Sequence, residues 1–228
     1  MSAPRLALAA ALGLLSLAAT SDALAYCRTT SCGDKGTGEK CNPVGPADCG
    51  VPLFWASPCV GYSVQKDASK DVTFATTETI LAEAFAVWTG ADCAAGGNPR
   101  MKVVELAPAV CAKHEYNQTK GNTNLVVFRD DAWPYAGSSA TLALTTVTYN
   151  LDTGEIYDAD MELNSFEHHF TTDDAVVLYD LQAVVTHEAG HFLGLAHSTV
   201  DGATMFESYD NGSMTLRDLA DDDVAGIC

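Results

Sequence analysis

The sequence predicts an α+β domain built on a single sheet, on three observations. Residues 55–65, 101–106, 124–128, 141–149 and 155–163 are short apolar or β-branched runs bounded by polar and turn residues, the pattern of strands. Residues 76–89 and the stretch opened by Asp180 instead repeat their apolar residues at helical spacing. The last two β-prone runs are separated by Asn150-Leu-Asp-Thr-Gly154, a turn that joins them as an antiparallel hairpin.

Residues 1–25 open with Met-Ser-Ala-Pro-Arg, continue in a Leu/Ala run and close on Ala23-Leu24-Ala25, the form of a secretory signal. That run is too short to span a bilayer, and no later segment is apolar enough to do so. The expected product is secreted and extracellular, beginning near Tyr26. Eight cysteines in such a chain argue for disulfides over free thiols. Cys27, Cys32, Cys41, Cys49 and Cys59 crowd among glycines and prolines. Residues 26–54 therefore read as a stapled, loop-rich N-terminal segment, and residues 55–228 as the domain proper. The formal net charge of −18 repels nucleic acid, which excludes that class of partner. A monomer is expected.

Within the domain, residues 55–65 form the first expected strand. The helix over 76–89 places Ile80, Leu81, Ala84, Phe85 and Trp88 on one face, with Glu78 in its first turn and Gly90 past its end. Strands over 101–106 and 124–128 follow, then a long loop over 129–139, then the hairpin. Residues 164–174 are polar and read as a loop. Asp180 is a good N-cap. Behind it, Leu181, Val185, Ala189 and Phe192 make a stripe that must face the core. Residues 216–228 look like a final helix.

The stretch from His187 to His197 reads His-Glu-Ala-Gly-His-Phe-Leu-Gly-Leu-Ala-His. Four residues is a little over one helical turn, so His187 and His191 project from one face, close enough to share a cation. With the apolar stripe packed inward, that face turns to the cleft. Gly194 lies where the helix would end, and glycine enters the left-handed conformation cheaply. A sharp turn there brings His197 round as a third ligand, leaving the fourth tetrahedral position for water: a catalytic zinc pattern. Glu188, beside that face, is the candidate general base, taking the proton of the attacking water and returning it to the departing amine.

These residues resemble the metzincin metallopeptidases, and within them the matrixins. Ala203-Thr204-Met205-Phe206 is similar to the methionine turn, Ser198 directly follows the third histidine as in matrixins, and Tyr209 matches the matrixin tyrosine four residues after the methionine. Trp55 and Tyr62, the Ala84-Phe85-Ala-Val-Trp88 stretch and Asp221-Asp-Asp-Val-Ala-Gly-Ile-Cys228 also resemble the family. The resemblance implies a zincin-like fold: a twisted mixed five-stranded sheet, two long helices and a short C-terminal part after the methionine turn. It implies a peptide or protein substrate, cut by a zinc endopeptidase with Met205 as an apolar floor and Tyr209 walling a substrate pocket. It also implies an edge strand over the site, whose main chain at Leu142, Ala143 and Leu144 would serve as a rail for extended substrate. Glu207 stands where matrixins have proline. The family usually continues a few residues beyond the last helix, so this reading leaves the C-terminus short. Cys49-Gly50-Val51-Pro52 superficially resembles the matrixin cysteine switch. It lies too near Trp55 and would leave an odd number of cysteines for pairing, so no switch is expected.

Many matrixins hold a second, structural zinc with a histidine from an Asp-Ala-His run; the equivalent here is Asp158-Ala159-Asp160. One zinc is therefore expected. Asp158, Asp160 and Glu162 offer harder oxygen ligands, so the region is expected to hold calcium or nothing. His114, His168 and His169 are expected to be surface or structural residues. The alternative to an enzyme is a binding or adhesion protein on the same scaffold. An intact Glu188 argues against it, because a protein that has lost catalysis has no need of the base.

Overall fold

In this computed structural model, which describes residues 28–31, 50–136 and 140–228, the β-prone runs become β1 (Cys59–Val64), β2 (Lys102–Glu105), β3 (Asn124–Phe128), β4 (Ala143–Tyr149) and β5 (Ile156–Leu163). The expected signal and most of the cysteine-rich segment, with Cys27, Cys32, Cys41 and Cys49, lie outside the described residues. The strands form one mixed sheet in the order β2-β1-β3-β5-β4. Neighbours from β2 to β5 run parallel, and β4 pairs antiparallel with β5 at the edge. Parallel neighbours need a crossover. Between β1 and β2 it is supplied by α1 (Phe74–Thr89), capped by Thr73, whose hydroxyl accepts from Thr76 N–H at 3.2 Å.

The second long helix, α2 (Leu181–Phe192), opens on Asp180, whose carboxylate accepts from Ala183 N–H at 2.7 Å. Both helices lay their apolar stripes on the sheet. Leu81, Ala84, Phe85 and Trp88 meet Leu181, Val185, Ala189 and Phe192 over Val60, Tyr62, Val126, Met161 and Leu163. Aromatic rings run through this core from Tyr62 to Phe85 (4.9 Å), Phe192 (5.1 Å) and Trp55 (5.5 Å). Burying each such side chain contributes about 1.5–3 kcal/mol, so this layer, more than helix propensity, fixes where α2 lies.

Several expectations change. Residues 56–58 bend instead of extending, with the Trp55 indole N–H bonded to the Phe192 carbonyl (2.8 Å), and β1 starts only at Cys59. The segment expected as loop contains β6 (Phe170–Thr171), paired parallel with β7 (Tyr179–Asp180). The final helix is broken into a 3₁₀ turn (Thr215–Arg217) and α3 (Asp221–Ile227). Arg217 is held by Asp180 and Asp174, and Asp218 is extended (φ −116°, ψ 144°), which interrupts any continuous helix.

Cys93 is bonded to Cys228 across 135 residues, fixing the end of α3 to the segment after α1. Cys59 and Cys111 are exposed free thiols, against the expectation of disulfides throughout. Cys59 begins β1, while Cys111 follows Ala109, which pairs with Gln65 just past the strand's other end. The six-residue strand spans about 20 Å, beyond disulfide reach. Among the described residues, no helix is long and apolar enough to cross a membrane.

Candidate metal centre

The spacing read in the sequence brings the three imidazoles together. Ligand atoms of His187, His191 and His197 all lie within 4.8 Å of one another. His187 and His191 share one face of α2, and the chain then reverses at Gly194, whose φ of +95° is a conformation that suits glycine. A Cβ there would also lie 3.0 Å from the Leu53 carbonyl. The turn is closed by Leu195 N–H to the Gly190 carbonyl and Gly194 N–H to the His191 carbonyl, both 2.9 Å. Outside it, Thr29 N–H bonds the Gly194 carbonyl (3.0 Å) and the Thr29 carbonyl accepts from Leu53 N–H (2.8 Å). Part of the N-terminal segment is thus woven onto the turn that presents His197.

The tautomers are set by the backbone. His187 Nδ1 lies 2.7 Å from the Thr204 carbonyl and His191 Nδ1 lies 2.9 Å from the Leu195 carbonyl. A carbonyl only accepts, so both Nδ1 atoms carry the proton and both Nε2 atoms present lone pairs. His191 Nε2 and His197 Nε2 are 3.2 Å apart. Burial pushes the His187 imidazole down to about 4, with His197 adding to the effect and the Thr204 carbonyl opposing it; burial and His187 push His191 the same way. Neutral imidazoles are the ligand form. Three such donors, with a carboxylate beside them, fit a tetrahedral zinc with one position left over.

Glu188 is 6% exposed, and burial raises its proton affinity against the opposing pull of His191 and Thr145. Its Oε2 accepts a 2.6 Å hydrogen bond from Thr145 of β4. Sequence reasoning missed this partner.

Met205 is buried under α2 on a turn held from behind. Asp223 accepts from Thr204 N–H (2.7 Å), Met205 N–H (3.0 Å) and Ala220 N–H (2.9 Å), and Ser198 N–H donates to the Met205 carbonyl (2.7 Å). The Ser198 hydroxyl donates to Asp222 at 2.6 Å. These bonds account for the Ser198 and Asp221–Asp223 signals in the sequence. Tyr209 is half-buried, its hydroxyl accepting from Asp180 N–H (2.8 Å) and donating to the Ser213 carbonyl (2.7 Å). It fastens the loop after Met205 to the start of α2.

Main-chain orientation along β4 divides the residues expected as a rail, Leu142, Ala143 and Leu144. Asn164 N–H donates to the Leu142 carbonyl, and the Leu163 carbonyl accepts Arg129 N–H on the β3 side, both at 2.8 Å. Main-chain groups alternate along a strand, and Leu144 pairs with Glu162. Leu142 and Leu144 therefore turn theirs to β5, while Ala143 and Thr145 present theirs to the open edge.

The three acids of β5 divide. Glu162, fully buried, is engaged by Arg129, Tyr135 and His114. Asp160 accepts from Leu125 N–H at 2.7 Å, and Asp158 keeps one buried oxygen without a hydrogen-bond partner. The histidine trio is the one potential metal cluster among the described residues, so the three acids are not gathered about a single point. They lie two residues apart along an extended strand, and Arg129 already neutralises one of them. His168 packs on Tyr179 (4.8 Å) and His169 pairs with Asp71 (3.1 Å).

The matrixin family model matches residues 117–228, which include the hairpin, the motif helix and the methionine turn. Metalloendoproteinase 5-MMP of Arabidopsis thaliana is 34% identical over 100 residues, covering 42% of this chain and 27% of that protein. Matrix metalloproteinase-18 of Xenopus laevis is 28% identical over 157 residues, covering 69% and 29%. Human matrilysin is 26% identical over 195 residues, covering 78% and 63%. The chain thus spans less than two thirds of each of these relatives' lengths. With the histidine trio, the methionine turn and the mixed five-stranded sheet, these matches make residues 117–228 a matrixin-like metzincin region.

Proposed function

We propose that the protein is a secreted zinc-dependent endopeptidase that hydrolyses peptide bonds with Glu188 as general base. The observation that carries this is the pairing of a histidine trio, two of whose tautomers are fixed by backbone carbonyls, with a buried carboxylate next to an open strand edge. His187, His191 and His197 would hold the zinc. When bound, zinc lowers the pKa of water to about 7 and polarises a carbonyl oxygen. An extended peptide adds to the free edge of β4 through Ala143 and Thr145, which lays the scissile bond over the histidines. Glu188 takes the proton of the attacking water and passes it to the departing amine. Tyr209 fixes the wall formed by the residues after Met205. The signal pattern of residues 1–25 and the Cys93–Cys228 disulfide, which an oxidising compartment preserves, support export.

The test is Glu188→Ala in the zinc-loaded protein, assayed by cleavage-site profiling on a peptide library. The variant is expected to keep its fold and one zinc per chain and to lose hydrolysis. Turnover within about tenfold of the parent would defeat the assignment. His187→Ala and His191→Ala should lose the metal as well, and elemental analysis after dialysis reads that directly.

A further inference from the structure

Thr145 stands at a junction. Its main chain lies on the open edge of β4, and its side chain points to α2. Oγ1 lies 2.6 Å from Glu188 Oε2 and 3.3 Å from the Glu188 main-chain carbonyl. A hydroxyl has one proton, and the shorter contact, to a carboxylate, takes it. The strand sets where the hydroxyl sits. Thr145 is paired with Met161, itself fully buried in the core, and Thr145's strand neighbours two away, Ala143 and Val147, pack against that core. A glutamate on a helix otherwise samples several rotamers, and losing that freedom is costly. The tie to a rigid strand settles this in advance for Glu188.

We propose that Thr145 is the positioning residue of the base, coupling peptide docking on β4 to the orientation of Glu188. The proposal rests on the endopeptidase reading above. With Oε2 bonded to Thr145, Oε1 is left for the attacking water. The Thr145 proton stays on Oγ1; the water proton goes to Oε1 and then to the leaving amine, so the pair ends each turnover as it began. An extended peptide on the edge would bond the main chain of Thr145 itself. β4 then becomes an interior strand, and the hydroxyl it carries is held more firmly when substrate is present.

Thr145→Val removes the hydroxyl and keeps the shape, whereas Thr145→Ser keeps the hydroxyl. In the zinc-loaded full chain, Thr145→Val is expected to lower kcat about tenfold to hundredfold with KM within about threefold, while Thr145→Ser stays within about threefold of the parent. Zinc content and thermal midpoint should match the parent in both. Acetohydroxamate gives a readout without turnover, because its proton needs an acceptor beside the metal. Its binding should weaken in Thr145→Val and return in Thr145→Ser. Parent-like kcat in Thr145→Val overturns the proposal, as does a serine variant as slow as the valine one. A valine variant that loses zinc or stability with its activity shows a structural role and overturns it too. A parent that cuts no library peptide defeats the endopeptidase reading itself, an outcome distinct from a parent that cuts and a valine variant that cuts equally well.

Discussion

Gly190 leaves the space that the Met205 thioether fills: a Cβ at position 190 would lie 2.2 Å from Sδ and 2.8 Å from Cζ2 of Trp88. The methionine sulfur could yield, but the ring could not. Trp88 is fully buried, and its indole N–H is tied to the Thr186 carbonyl at 2.7 Å. Gly190→Ala is therefore expected to push α2 away from the methionine turn and to cost about 1–3 kcal/mol. His187 and His191 flank the glycine, so zinc should be held more weakly as well. Thermal unfolding with metal analysis checks both; a variant with parental midpoint and zinc content would show that the contact relaxes freely.

The disulfide between Cys93 and Cys228 closes a loop of 135 residues that contains the whole metal centre. Cross-linking so long a loop restricts the unfolded chain, which typically stabilises by about 2–4 kcal/mol. Cys93→Ser is expected to lower the denaturant midpoint accordingly, with zinc binding retained because neither cysteine belongs to the histidine cluster. A midpoint equal to the parent's would show that the asparagine bonds from Asn98 to Gly90 and Ala91 already hold that corner.

The candidate metal ligands were legible because their geometry is local. One helical turn separates His187 from His191, and a single glycine at positive φ brings in His197. The two helices were legible from apolar spacing, and Asp180 from its residue type. What could not be read depends on pairing at a distance. Thr145 looks like any strand threonine until the register with β5 aims it at Glu188, 43 residues away. The same register decides that Ala143 and Thr145, rather than Leu142 and Leu144, turn their main-chain groups to the open edge. The Arg129–Glu162 pair spans 33 residues and carries no motif. The broken last helix follows from the Arg217 bonds to Asp180, equally invisible in a local pattern.

Glu162 is a fully buried carboxylate whose charge is met by Arg129, with Tyr135 and His114 completing the shell. Removing one member of a buried pair strands the other. Arg129→Met is expected to destabilise by about 3–5 kcal/mol, while Arg129→Met combined with Glu162→Gln should recover a large part of that loss. Chemical denaturation of the parent, Arg129→Met, Glu162→Gln and the double variant forms the cycle. A single variant within about 1 kcal/mol of the parent would mean that another cation satisfies Glu162.

Asp158 and Asp160 are a different case, since among the described residues neither forms an ion pair with Lys or Arg. Burial, then the charge and hydrogen bond of Asp160, push the Asp158 carboxyl up to about 7. Burial also raises Asp160, with the Leu125 N–H and His114 opposing and Glu162 adding to it. A carboxyl with a raised pKa binds its proton more tightly in the folded state. The stability it contributes is complete below its unfolded value near 4 and is lost as the pH rises through about 7. The parent should therefore be less stable at pH 8 than at pH 5, by about 2–4 kcal/mol from this pair. Asp158→Asn, which imitates the protonated acid, should flatten the profile. Calcium would act at the same place by neutralising both carboxylates. If the pair holds that ion, millimolar calcium raises the parent's thermal midpoint at pH 8 and leaves Asp158→Asn unmoved. Equal responses in the two proteins would remove calcium from this site, and a parent whose stability does not fall between pH 5 and 8 would remove the buried proton.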